Sequence, residues 1–264
     1  MLAKSTLSLS NKLFKKVQIG QIFVSNLTIT NTINLFNDAI EANSKLRVCV
    51  TPVNCVVWAN ENQELQNLYN TADLVLCDGK PLVWISKFLG TPIKERVTGL
   101  DVLPLYLEAS AKKGYTSFFL GAKEGVADYL KKVAENKYKG IQIVGTYSPP
   151  FAEKFSEDEN VKIVEMINKV KPNVLWVSLT APKQDYWIYE NIDKLNVNIA
   201  IGVGGAFEVT AGLIERAPKW MQDFGLEWLF RLLKEPKRMY KRYLIEAPKI
   251  FPIIIKQKFY NKPK

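Results

Sequence analysis

The sequence of 264 residues contains no histidine. That removes Ser-His-Asp and Cys-His nucleophile pairs, and with them the commonest transition-metal ligand. Any general base is therefore a carboxylate, a Lys, a Tyr or a Cys. Cysteine is scarce and odd in number: Cys49, Cys55 and Cys77 lie in or beside strand-like runs. They read as buried thiols of a reducing compartment, not as a disulfide framework. There is no Asp-x-Asp, the acidic pair with which many sugar transferases hold a divalent ion on a diphosphate. The acidic run Glu157-Asp158-Glu159 is no substitute, because it falls where a helix begins and acidic side chains favour that end of the dipole. No apolar run approaches the roughly 18 residues of a spanning helix. Met1 to Lys16 mixes Ser, Lys and Leu without the continuous apolar core of a secretory leader. These absences predict a cytoplasmic chain with a metal-free mechanism and no cofactor.

With 47% hydrophobic residues, the chain can bury one sizeable core, or one core with an appendage. The net charge of +10 is concentrated at one end. From Arg231 onward eleven bases face only Glu235 and Glu246, which leaves the preceding residues near neutral. A near-neutral body argues against a nucleic-acid-coating protein, although Tyr240, Tyr243 and Phe251 in the tail are of the kind that stack on bases. The tail interleaves bases with aromatic and aliphatic residues at three- and four-residue spacing. This pattern suits a helix lying in a membrane interface; a helix packed on a core or on another subunit is the alternative.

Short β-branched runs alternate with amphipathic segments of helical length, the signature of an α/β layered fold, Rossmann-like, with a mainly parallel sheet. Strands are expected at Leu46 to Thr51, Ala72 to Leu76, Ser117 to Leu120, Ile141 to Val144, Val174 to Ser178 and Ile199 to Val203. Helices are expected near Asn31 to Ala42, Leu65 to Tyr69, Pro81 to Leu89, Val102 to Lys113, Val126 to Asn136, Asp158 to Val170 and Lys183 to Ile192. After Ala211 the register changes. A short helix is expected after Ala217-Pro218, then helices at Leu226 to Lys234 and Lys237 to Ile245, with Pro236, Pro248 and Pro252 interrupting the path. The division is an α/β domain over residues 1–217 and a helical, basic C-terminal appendage over 218–264.

In open parallel sheets, ligands sit beyond the carboxyl ends of strands. Cys77-Asp78-Gly79 follows one such strand, where Asp78 reads equally as a general base or a helix N-cap. Gly204-Gly205-Ala206-Phe207-Glu208 follows another, and paired glycines there let backbone N–H groups approach a diphosphate. The dinucleotide fingerprint is incomplete, against an NAD or FAD enzyme. Gly121 to Gly125 is a weaker signal of the same kind. In Val177 to Asp185, Pro182 opens a helix, and Gln184 and Asp185 are placed to read a base or ribose. Arg96 stands in a polar loop, where a lone Arg is ordinarily a surface charge.

Taken in order and spacing, Asp73 to Gly79, Arg96 to Asp101, Ala181 to Asp185, Gly202 to Glu208, Arg216 to Trp220 and Gly225 to Arg231 resemble the WecG/TagA/CpsF glycosyltransferase family. The resemblance runs from about Val50 to Arg242. It implies a metal-independent, inverting transferase that moves a sugar from a UDP-sugar to a lipid-diphosphate-linked sugar acceptor, for wall polymers, capsules or exopolysaccharides. It further implies an enzyme peripheral on the anionic inner face of a bacterial plasma membrane, and Asp78 as the base. Thr51 and Arg96 join Asp78 as catalytic candidates. Asn54, Gln184, Asp185, Gly204, Gly205 and Glu208 are substrate-binding candidates. Arg231, Arg238 and Arg242 are implied to close over the donor diphosphate. The chain departs from the family pattern at Glu208, where Asp is usual, and at Asp185, where Glu is usual. At Thr51-Pro52-Val53-Asn54 the asparagine stands one residue later than in the usual Thr-x-Asn. The alternative to an enzyme is a non-catalytic nucleotide-sugar-binding module docked on a membrane.

Overall fold

The computed structural model describes residues 14–260. Most of the Met1 to Lys16 stretch, and Lys262 and Lys264 of the basic tail, lie outside the described residues.

The chain opens with a hairpin, β1 (Lys16–Ile19) and β2 (Ile22–Ser25), turning at Gly20 with φ +61°. The helix α1 (Ile29–Glu41) follows, its N-terminus closed by a reciprocal Thr28–Asn31 box. Then come β3 (Leu46–Thr51), α2 (Val53–Glu61), α3 (Gln63–Asn70), β4 (Leu74–Cys77), α4 (Lys80–Leu89) and α5 (Gly99–Lys113). Next are β5 (Thr116–Gly121), α6 (Val126–Lys137), β6 (Gln142–Tyr147), α7 (Glu157–Val170), β7 (Val174–Ser178), α8 (Lys183–Asn191), β8 (Ile199–Gly202) and α9 (Ala206–Thr210). Side-chain caps from Thr98 and Ser156 start α5 and α7, and left-handed Gly90 and Gly114 end α4 and α5. Glu157 and Asp158 are exposed on the first turn of α7, as expected.

β3 to β8 form one parallel six-stranded sheet in the order β4-β3-β8-β7-β5-β6. Helices cover both faces, so the inner strands β7 and β8 are buried along their whole length, while the edge strand β6 is more polar. The alternation of each strand divides the core in two. Val48, Val50, Leu74, Leu76, Trp176 and Ile201 face α1, α5, α6 and α9. Cys49, Val75 and Cys77 face the hairpin, α2, α3 and α4, while Leu175, Val177 and Ala200 face α7 and α8. The three cysteines are buried and unpaired.

The C-terminal part is α10 (Lys219–Asp223), α11 (Glu227–Lys234), α12 (Pro236–Tyr240), a π-helical turn at Lys241–Glu246, a 3₁₀ turn at Ala247–Lys249 and α13 (Ile250–Phe259). The final helix returns to the body. Ile250 and Ile254 are buried with the α2–α4 face of the core, and Gln257 Oε1 accepts from the Gly20 N–H at 2.8 Å. Pro252 was expected to interrupt the path but sits in the first turn of α13, where a missing N–H costs nothing.

Candidate active site

The carboxyl ends of four adjacent strands, β4, β3, β8 and β7, open into one cleft roofed by the C-terminal helices. Its lining includes Asp78, Arg96, Gln184, Gly204, Gly205, Glu208, Arg231, Arg238 and Arg242, around a cavity of about 170 Å³. Nine of the twelve sequence-nominated residues thus meet in one place, from segments as distant as β4 and the π-helical turn. Thr51, Asn54 and Asp185 are not among the lining residues.

Asp78 leaves the end of β4 with its N–H donating to the Thr51 carbonyl at 3.1 Å. The next residue, Gly79, is the N-cap of α4 at φ +102°, a conformation open to glycine and strained for other residues. No side chain caps α4. Of the two readings open to Asp78, the cap is therefore not the one adopted. Its half-buried carboxyl is pushed up to about 6 by desolvation, against the pull of Arg231, while Glu227 adds to the rise and Arg242 and Arg96 oppose it.

The glycine loop differs from expectation in detail. The Gly204 N–H, anticipated as a diphosphate donor, instead donates to Gln184 Oε1 at 3.0 Å. Gln184 is buried beneath the loop, and a Cβ at Gly202 would lie 2.8 Å from its side chain. Gln184 shapes the loop rather than presenting its amide oxygen to the cleft. Thr180, also on the cleft wall, holds φ +67°, an outlier for a β-branched residue of the kind that gathers at functional sites. A methyl on Gly205 would stand 3.6 Å from Arg231 Nη2 and 4.0 Å from Glu208 Oε2, which places both side chains beside the loop. Glu208 Oε2 is buried without a hydrogen-bond partner.

Three arginines enter from the tail. Arg238 pairs with Glu235 at 3.0 Å, whereas Arg231 and Arg242 have no ion-pair partner among the described residues. Arg242 belongs to the π-helical turn, a deviation that often marks functional positions. Asn54 explains how that turn is held: its amide donates to the Arg242 carbonyl at 2.8 Å. Asn54 is thus joined to the arginine's backbone rather than to the cleft.

Arg96 lines the cleft wall but is not a lone surface charge. It pairs with Glu227 at 2.8 Å and Asp101 at 3.6 Å, and it donates to Gln222 at 3.2 Å. Arg216 pairs with the same two acids, at 2.7 Å to Asp101 and 3.1 Å to Glu227. This four-membered ring ties the start of α5 to the start of α11. Sequence reasoning missed Asp101, Arg216 and Glu227 as site-building residues, although each lies within a motif that carried the resemblance.

Asp185 lies 1% exposed below the cleft. One oxygen accepts from the Tyr69 hydroxyl at 3.1 Å and the other has no partner. Burial pushes its carboxyl up to about 7, against the Tyr69 hydrogen bond and Arg47. Thr51 is likewise fully buried, with an unpartnered hydroxyl. Among the described residues, no group of three or more acidic or cysteine side chains is close enough to hold a metal ion.

The carboxylate of raised pKa thus stands at the strand ends, where open α/β sheets take their ligands, in one cleft with arginines that have no ion-pair partner among the described residues. The model of the Glycosyl transferase WecG/TagA/CpsF family matches residues 17–264, and the chain belongs to that family. Among similar proteins is the N-acetylglucosaminyldiphosphoundecaprenol N-acetyl-beta-D-mannosaminyltransferase of Bacillus spizizenii, 30% identical over 75% of this chain and 74% of the relative. Enzymes of the same name from Bacillus subtilis and Staphylococcus aureus are 26% and 25% identical, over 89% and 85% of this chain and 93% and 87% of theirs. The chain is a glycosyltransferase, which sets aside the non-catalytic module.

Proposed function

We propose that the chain transfers a sugar from a UDP-sugar to a sugar carried on a polyprenyl diphosphate, with inversion and without a resident metal, in cell-wall polymer synthesis. The observation that carries this reading is the single cleft pairing one carboxylate of raised pKa with arginines that lack partners. The names of the relatives support a lipid-diphosphate acceptor bearing N-acetylglucosamine and an N-acetylmannosamine donor.

In the proposed step Asp78 takes the proton of the acceptor hydroxyl as that oxygen attacks the anomeric carbon. The bond from that carbon to the diphosphate breaks, and its electron pair leaves with UDP. Arg231 and Arg242, with Arg238 at the rim, meet the charge that grows on the leaving group. Thr51 supports Asp78 by accepting its N–H on the Thr51 carbonyl, and Asn54 supports Arg242 by donating its side-chain amide to the Arg242 carbonyl. Arg96 acts as a positioning residue by holding Glu227 and so the start of α11. Glu208 takes a sugar or ribose hydroxyl, and Asp185 underpins Gln184 from the core.

The segment 218–264 is proposed to carry the site to an anionic membrane surface. The exposure of Trp220, Phe224, Leu233, Tyr240, Phe251 and Phe259 among lysines supports this. No helix among the described residues is long and apolar enough to cross a membrane.

The test is UDP release from a panel of UDP-sugars, with EDTA present and a short-chain prenyl-diphosphate N-acetylglucosamine as acceptor. Acceptor-dependent release with UDP-N-acetylmannosamine is expected. Release that requires added divalent metal, or that ignores the acceptor, would refute the proposal.

A further inference from the structure

A second cavity, of about 660 Å³, lies between α4 and the C-terminal segment. Its walls are almost wholly apolar, with Trp84, Ile85 and Phe88 on one side and Phe251, Ile254 and Ile255 on the other. The one side-chain amide in the lining, that of Asn54, is already engaged by the Arg242 carbonyl. A ligand entering here is met by hydrocarbon, so neither a sugar nor a nucleotide suits it.

The groove is not isolated. Val53, Pro81, Trp228 and Tyr243 line both it and the polar cleft, so the two share one wall. The arginines of the cleft and the apolar groove thus lie on adjoining sides of the same four residues. The far end opens outward: Trp84, Phe88, Phe251 and Ile255 are each 46–60% exposed, and Lys258 Nζ stands 5.5 Å from the Phe88 ring centroid.

We infer that this groove seats the first isoprene units of the acceptor's polyprenyl chain and guides the remainder outward past α4 and α13. The inference rests on the proposed lipid-diphosphate acceptor and adds to it where the hydrocarbon lies. Three features select an isoprenoid chain over other apolar occupants: adjacency to the polar cleft across shared residues, arginines where a diphosphate would stand, and an open outer end that suits a ligand longer than the groove.

The experiment uses the full chain with N-acetylglucosamine linked through diphosphate to methyl, geranyl or farnesyl groups, and compares it with Phe88→Ser and Phe251→Ser. Both side chains are about half exposed or more, so folding is little affected. In the parent enzyme KM for acceptor is expected to fall at least about tenfold from methyl to farnesyl. In the variants that gain is lost, while KM for the methyl acceptor and for the donor stays unchanged. Independently of turnover, a benzophenone-bearing farnesyl diphosphate is expected to label peptides spanning residues 81–88 and 247–255. Labelling there without any sugar transfer would refute the proposed reaction and keep the groove. Transfer that is indifferent to chain length, with labelling elsewhere, would overturn the groove assignment. So would a dimer in sedimentation that Phe251→Ser dissolves, with no dependence on chain length, since a second copy would then be the occupant.

Discussion

Asp78 and Asp185 are both carboxylates with raised pKa values, and their surroundings separate their roles. Asp78 lines a cleft and is opposed by arginines, while Asp185 is sealed beneath Tyr69. In the proposed role of base Asp78 works ionised, so kcat/KM should climb with pH through about 6. Asp78→Asn should lower kcat by about 10²- to 10⁴-fold with UDP binding retained. Steady-state rates alongside UDP titration check this, and a variant with most of its activity would remove Asp78 from the mechanism. Asp185 makes a prediction about folding instead. Its proton is held to about 7 in the native protein but is lost near 4 on unfolding, so its contribution to stability is full below about 4 and declines as pH rises to about 7. Asp185→Asn should therefore gain stability relative to the parent as pH climbs through that window, a trend read by urea unfolding at several pH values. A constant difference across the window would mean that the carboxyl is not buried as a neutral acid.

At the scale of elements, the ring of Arg96, Asp101, Arg216 and Glu227 ties the start of α11 to the start of α5 beside the cleft. Glu227 serves both arginines and also raises the Asp78 pKa. Glu227→Gln should thus do two things at once. It should loosen α11, at a cost on the order of 2 kcal/mol for a partly buried pair. It should also move the ascending limb of the pH profile below about 6, because a nearby negative charge is gone. A lower rate with an unmoved limb would limit Glu227 to holding the helix. The elements that carry the site were largely legible in the sequence, because both-face burial gave β3 the apolar stretch Val48 to Val50 and β7 the apolar stretch Val174 to Val177, and both strands have the expected bounds. What stayed hidden has local causes. The β-branched run Val53, Val56 and Val57 in α2 disguised a helix that burial on several sides stabilises. The hairpin strands are four residues each, too short for a period to stand out. Pro252 masked the start of α13, and the π-helical turn that directs Arg242 has no sequence signal of its own. Among the site residues, the glycine loop was visible, but that Gln184 would occupy the Gly204 N–H depends on a packing depth that spacing does not encode.

For the whole molecule, the question is what the basic tail does besides supplying arginines. A truncation near Pro218 is a poor probe, because Ile250 and Ile254 complete the core beside the hairpin and Gln257 bonds to it. Removing them would unfold as well as discharge the protein. Lys237, Lys241 and Lys256 are exposed and lie outside the cleft lining, so changing all three to Gln leaves both core and cleft in place. Each base near an anionic leaflet contributes about 1 kcal/mol, so this variant should bind anionic liposomes at least tenfold more weakly than the parent. Its turnover of a soluble, short-chain acceptor should be unchanged. High salt should erase the difference between the two proteins, since the attraction acts within a Debye length. Equal binding by both at low salt would mean that exposed apolar side chains such as Leu233 and Phe259, not these lysines, hold the surface, and the tail's charge would then matter only inside the cleft.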